Sequence, residues 1–191
     1  KVITNGTITG RMSHQAPNMA QITAVYSPYG KECRGLWIVE KGFKLVGVDA
    51  KGLELRMLAH YMNDKEYTNE VINGDIHTAN QIAAGLETRD AAKTFIYAFI
   101  YGAGNKKIGS IIGGSERDGE RIKEKFLRAT PSLRSLREKV ERVSKSNRRW
   151  HKGLDGRKII SRHPHASLNS LLQGAGATVV KVALTKLGEY V

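Results

Sequence analysis

Cysteine is nearly absent: Cys33 is alone among 191 residues, so no disulfide framework can form, and a reducing compartment suits the chain. No apolar run approaches 18 residues, which leaves nothing to span a bilayer as a helix and predicts no membrane partner. Acidic residues are scarce. There are 18 Asp and Glu against 31 Lys and Arg, a net charge of +13, which favours a polyanionic partner. The excess is local: residues 117–162 hold 16 Lys or Arg and 6 Asp or Glu. The chain opens on Lys1 rather than Met, carries no signal peptide, and reads as a piece of a longer protein. Its length suffices for a core, in one or two domains.

What the chain does have is a regular stripe. Arg89, Lys93, Tyr97 and Tyr101 recur every fourth residue in RDAAKTFIYAFIYG. On an α-helix they share one broad face, because each step of four drifts only about 40°. Ala92, Phe95, Ile96 and Phe99 then fall on the opposite face and bury the helix. Arg89 and Tyr97 lie about 12 Å apart along the axis, close to the length of a nucleoside triphosphate. Two cations followed by a ring match a polyphosphate, then a sugar and base. A basic amphipathic helix with two aromatic plugs would carry the same pattern.

The remaining organisation is mostly helical. Residues 1–35 are rich in Gly, Pro, Asn and Ser and read as extended segments and loops, with a turn at 27–30. Residues 43–48 (FKLVGV) form a mostly apolar run that reads as a buried strand ending at Asp49. Leu53–Met62 has helical spacing, with Leu55, Leu58, Ala59 and Met62 inward. One helix is expected over 69–85, with Asp75 or Thr78 at a cap, and Thr88 should cap the Arg89 helix. Further helices are expected over 106–112, 117–130, 132–146 and 166–190, with short strands around a turn at 153–156. Cys33 reads as a buried apolar filler. The charged helices of 117–146 read as a solvated basic surface in weak contact with phosphates.

Asp49 leaves the expected strand just before a helix, where it either caps that helix or presents an acid over a sheet. An ionised carboxylate there suits Mg²⁺ shared with phosphate oxygens and waters. The block VDAKGLELR followed by RDAAKTFIYAFIYG resembles motifs A and B of family A DNA polymerases, especially those of T-odd bacteriophages and cyanophages. TGRMSHQAPNMAQI, NGDIHTANQIA, GLDGRK and PHASLNSLLQGAGA occur in the expected order around them. This resemblance implies an α+β, helix-rich fold: a partial palm of few antiparallel strands plus helices, with a helical fingers subdomain. The boundaries are 1–62 for palm with motif A, 63–152 for fingers, and 153–191 for the return to the palm.

The resemblance also implies roles. Asp49 would bridge two Mg²⁺ ions, with the Ala50 carbonyl as a further ligand. Lys93 would contact the α-phosphate region and Arg89 the γ-phosphate. His77 would reach the β-phosphate side and Tyr97 would pack on the incoming sugar and base. Tyr101 would hold the template-base position until the fingers close. Glu54 resembles the steric gate that fills the space of a ribose 2′-hydroxyl, favouring DNA over RNA synthesis. Arg11, Asn18, Gln21, His165, Asn169 and Gln173 match residues that follow the duplex minor groove and backbone.

Taken together, these imply a nucleotidyltransferase: part of a DNA-directed DNA polymerase adding dNTPs to a primer on template DNA in phage-type replication, in the host cytoplasm. The expected cluster is spatial, with Asp49 and the cationic ridge meeting one bound dNTP. The family's second catalytic aspartate sits in a His-Asp-Glu hairpin that does not occur here, so the segment alone should be inactive. A processivity factor such as thioredoxin docks in some relatives on a thumb loop outside these motifs. Two other readings stay open: part of a single-subunit RNA polymerase, and a non-catalytic nucleic-acid-binding module.

Overall fold

The computed structural model describes residues 1–147 and 149–190. They divide into two compact units, Lys1–Lys51 and the chain from Gly52 onward.

In the first unit, β1 (Val2–Ile3) pairs antiparallel with β2 (Ser13–His14), Val2 opposite His14. A 3-10 turn at Met19–Gln21 follows, capped by the Asn18 side chain accepting from the Ala20 amide. The expected turn at 27–30 forms, the Gly30 amide donating to the Ser27 carbonyl. It leads into a helix that composition had hidden, α1 (Gly30–Gly35). Gly30 packs so tightly that a Cβ there would stand 1.8 Å from the Ala24 carbonyl oxygen. Cys33 is half-buried rather than buried.

Residues 43–48 depart from expectation. They form no strand, and Phe43, Leu45, Val46 and Val48 are 71–91% exposed. Among the described residues no ladder reaches them. An apolar run becomes a strand only when another strand satisfies its amides and carbonyls. Asp49 therefore leaves an exposed segment outside any ladder.

The second unit is built of helices. α2 (Leu53–Met62) buries Leu55, Leu58, Ala59 and Met62, the face its spacing predicts. The expected helix over 69–85 is instead two, α3 (Lys65–Ile72) and α4 (Ile76–Ala84). Asn73 caps α3, and the Asp75 side chain accepts from the His77 amide to start α4. A cap satisfies amides that a continuous helix would have bonded internally, so Asp75 opens a new helix rather than extending the old one. α5 (Arg89–Ile100) is capped by Thr88, whose Oγ1 accepts from the Ala91 amide, and ends at Gly102 with φ of 79°. Then come α6 (Asn105–Ile111), α7 (Glu116–Ala129) with a Ser115–Asp118 capping box, and α8 (Pro131–Lys145) with Pro131 in its first turn. β3 (Trp150–Lys152) and β4 (Lys158–Ile160) form the expected hairpin. α9 (Ser167–Leu187) closes the chain.

The core of this unit is one continuous cluster. Phe95 and Phe99 from α5 meet Phe126 from α7, with ring centroids 5.1 and 5.5 Å from Phe126 in edge-to-face geometry. Beside them α6 and α7 touch backbone to backbone. A Cβ at Gly119 would lie 2.0 Å from the Asn105 carbonyl oxygen, so only glycine allows the approach. This packing fixes the inward face of α5 and leaves its other face available.

Candidate active site

The face of α5 opposite the core carries the predicted stripe. Arg89 and Lys93 are exposed, Tyr97 is half-buried and Tyr101 is 48% exposed. α4 runs alongside and brings His77 to Tyr97, with ring centroids 6.3 Å apart. From α2, Glu54 lies close enough for its charge to act on Tyr97. Burial first, then Glu54 and Tyr101, raises the Tyr97 phenol above its ordinary value. Glu54, His77, Arg89, Lys93, Tyr97 and Tyr101 thus fall in one neighbourhood of the second unit.

Arg89 has a partner that helical spacing could not reveal. Its Nε donates to Asp75 Oδ2 at 2.6 Å and its Nη2 to Asp75 Oδ1 at 3.0 Å, a two-pronged grip on one carboxylate. Thr78 Oγ1 donates to the same carboxylate. Bonds from Arg89 and then Thr78 hold Asp75 well below the usual carboxylate range, and the same pair raises Arg89. The sequence signal was Asp75 two residues ahead of His77, legible only as a cap.

This pair gives a pH prediction. A depressed folded-state pKa contributes stability above the unfolded value of about 3.9, and that contribution is lost as pH falls through the lower folded value. A carboxyl NMR titration should therefore place the Asp75 midpoint below about 3.9, with Arg89→Ala moving it back up. A wild-type midpoint at the ordinary value would show that the pair does not persist in solution.

His77 is tuned the other way. Burial, then the charges of Arg89 and Lys93, lower its pKa despite Asp75, so the imidazole is neutral near pH 7. Its Nδ1 is buried with no hydrogen-bond partner among the described residues. Beneath it, α3 and α4 bury Tyr67 and Asn80, the latter 1% exposed. Burial drives the Tyr67 phenol strongly upward, the Asn80 side chain opposing. Sequence reading passed over both, because each occupies a position an apolar residue could fill.

α5 ends against the start of α9. A Cβ at Gly102 would stand 2.3 Å from the His165 carbonyl oxygen, so Tyr101 sits one residue from that contact. The His165 ring stacks on His163 at 5.4 Å and 9°. Gln173 Nε2 donates to Asn169 Oδ1 at 3.1 Å, a half-buried pair on one side of α9. His165 itself lies in the 3-10 turn before α9 rather than on it.

The other predicted residues belong to the first unit. Asn18 Nδ2 donates to Gln21 Oε1 at 3.1 Å, and the Arg11 amide donates to Thr7 Oγ1. Asp49 and Ala50 are exposed. Among the described residues no three His, Cys, Asp or Glu gather as metal ligands. Asp49 with the Ala50 carbonyl offers hard oxygen donors of the right kind for Mg²⁺, but too few to hold it without phosphate and water.

The family model of DNA polymerase family A matches residues 1–191. The chain is 49% identical over 209 residues to the DNA-directed DNA polymerase of Escherichia phage T7, and likewise 49% to that of Enterobacteria phage T3. Each alignment covers 97% of this chain and 30% of the relative, so the chain spans under a third of those proteins' length. In fold it is similar to the polymerase domain of Pol1 from M. smegmatis, solved in complex with DNA primer-template and dNTP. That likeness has a TM-score of 0.83 at 20% identity, covering all of this chain and 37% of the other.

Proposed function

Since the chain belongs to DNA polymerase family A, we propose that it supplies the nucleotide-gripping part of a DNA-directed DNA polymerase that extends a primer 3′ end on template DNA. The observation that carries this reading is the single neighbourhood formed by Arg89, Lys93, Tyr97, His77 and Glu54 on α5, α4 and α2. In it the three phosphates lie along the cations and the sugar and base rest on Tyr97. Boundaries at 62 and 152, with palm on either side of helical fingers, go with the same reading.

Phosphoryl transfer depends on positioning and charge neutralisation more than on covalent help from the protein. The primer 3′-oxygen attacks the α-phosphorus, the bond to the β-phosphate oxygen breaks, and pyrophosphate leaves. Arg89 and His77 orient the leaving phosphates. Lys93 faces the α-phosphate region and gives a proton to the departing oxygen. Glu54 closes the space beside the sugar. Mg²⁺ held by Asp49, the Ala50 carbonyl and the phosphates would neutralise charge on the phosphate oxygens. Arg11, Asn18, Gln21, His165, Asn169 and Gln173 follow the duplex, where a nearly base-independent set of minor-groove acceptors suits shape checking. Replication of phage DNA in the host cytoplasm, with or without a processivity factor such as thioredoxin, is the setting this reading fits. Among the described residues no helix is long and apolar enough to cross a membrane.

Primer extension by a polymerase carrying this segment tests the reading. Deoxynucleotides should be incorporated at least a hundredfold better than ribonucleotides, about the reach of one well-placed steric or polar contact. Equal use, or preference for ribonucleotides, would favour an RNA polymerase. Duplex binding indifferent to dNTP and Mg²⁺, without extension, would leave only a binding module. Tyr97→Phe should also sharpen discrimination against dideoxynucleotides about tenfold or more, because the phenol oxygen no longer stands in for the missing 3′-hydroxyl. Unchanged termination patterns on a sequencing gel would remove Tyr97 from the sugar.

A further inference from the structure

A second cavity shares no residue with the candidate active site. It has a volume of about 280 Å³ and lies between the end of α2, α8, the β3 strand and α9. Leu136, Val140 and Val143 of α8 and Leu171 of α9 make its apolar floor. Trp150 borders it, and Lys139 and Lys152, both exposed, stand at its edge. Lys158 adds a third cation, its Nζ 5.0 Å from the Trp150 ring centroid. At the wall is Tyr61, whose Oη is buried and has no hydrogen-bond partner among the described residues.

Each feature taken alone has a modest explanation. An apolar hollow can be a packing gap, and surface lysines are ordinary. Their combination is more specific. A flat indole and an aliphatic floor suit a planar ring, and the cations around them suit phosphates on either side. The size is at the bottom of the roughly 300–1,000 Å³ range of small-molecule pockets, which favours one base over a whole nucleotide. The one acid on the hairpin, Asp155, whose charge reaches Tyr61, is paired with Arg157 Nε at 2.6 Å, and the lysines outnumber it. A positive track with an aromatic platform is the usual design for single-stranded nucleic acid.

We propose that this cavity is a seat for single-stranded DNA: one base enters beside Trp150 over the aliphatic floor, and its flanking phosphates lie on Lys139 and Lys152. Binding there needs neither dNTP nor Mg²⁺. It goes beyond the polymerase reading and does not depend on it.

The test uses the 191-residue chain with Trp37→Phe, which leaves Trp150 as its single tryptophan. Titration with a short oligo(dT) should quench Trp150 emission, and an abasic strand of equal length should bind about tenfold more weakly because the stacked base is missing. Lys139→Ala with Lys152→Ala should weaken oligo(dT) binding and lower the slope of log K against log salt by about 1.4, two phosphate contacts at about 0.7 each. Both lysines are exposed, and an unchanged far-UV spectrum confirms that the double variant folds. Lys93→Ala should leave the quenching intact. Trp150 emission indifferent to saturating oligo(dT) would overturn the proposal, as would a double variant that binds like wild type. Equal binding of oligo(dT), the abasic strand and polyglutamate would also overturn it, leaving only a general anion surface.

Discussion

Lys93→Ala is expected to slow single-turnover primer extension by about a hundred- to ten-thousandfold in a polymerase carrying this segment, with little loss of affinity for primer-template. Lys93 is exposed on α5, one turn from Arg89 and one from Tyr97, and its removal touches none of the buried face of that helix. The loss should therefore appear in the chemical step and not in folding. Lys93→Arg separates two contributions. A guanidinium keeps the positive charge on the phosphates but surrenders a proton far less readily than an ammonium, so arginine should recover dNTP affinity and little of the rate. Wild-type turnover in Lys93→Ala would take this residue out of the reaction altogether.

The second large effect is on stability. Phe126→Ala should lower the free energy of unfolding of the 191-residue chain by about 3–5 kcal/mol, read as a drop in the denaturant midpoint. Phe126 is 0% exposed and meets both Phe95 and Phe99 edge-to-face. Its truncation removes transfer free energy and leaves a cavity behind the inward face of α5. Against a typical total of roughly 5–15 kcal/mol, that is a large fraction. Phe126→Leu fills most of the space and should cost clearly less. A midpoint unchanged by the alanine would mean that the aromatic cluster is not what holds α5 in position.

How much of this was legible beforehand depended on the range of the interaction. Within α5, spacing of four and the Thr88 cap were enough, because a helix bonds to itself and its faces follow from residue number alone. The same held for the inward face of α2 and for the β3–β4 turn. The break between α3 and α4 was misread: Asp75 could be recognised as a cap, but a cap inside a helical pattern competes with continuation, and local sequence does not decide the winner. The strand expected at 43–48 failed for another reason. Its apolar pattern was correct for a strand, yet pairing is non-local, and no segment among the described residues supplies the ladder. Arg89–Asp75 was invisible because it joins two helices across 14 positions. The Glu54 charge acts on Tyr97 from another helix, a proximity that spacing within either helix could not have established.

The unpaired run at 43–48 also bears on how the chain behaves in company. Six residues with four large apolar side chains, no proline and one charge, exposed and outside any ladder among the described residues, resemble the segments that seed intermolecular sheets. Lys44, the one charge within it, is the lone gatekeeper against stacking with a second molecule. The piece of backbone that leads to Asp49 is therefore also where crowding and self-association would first take hold.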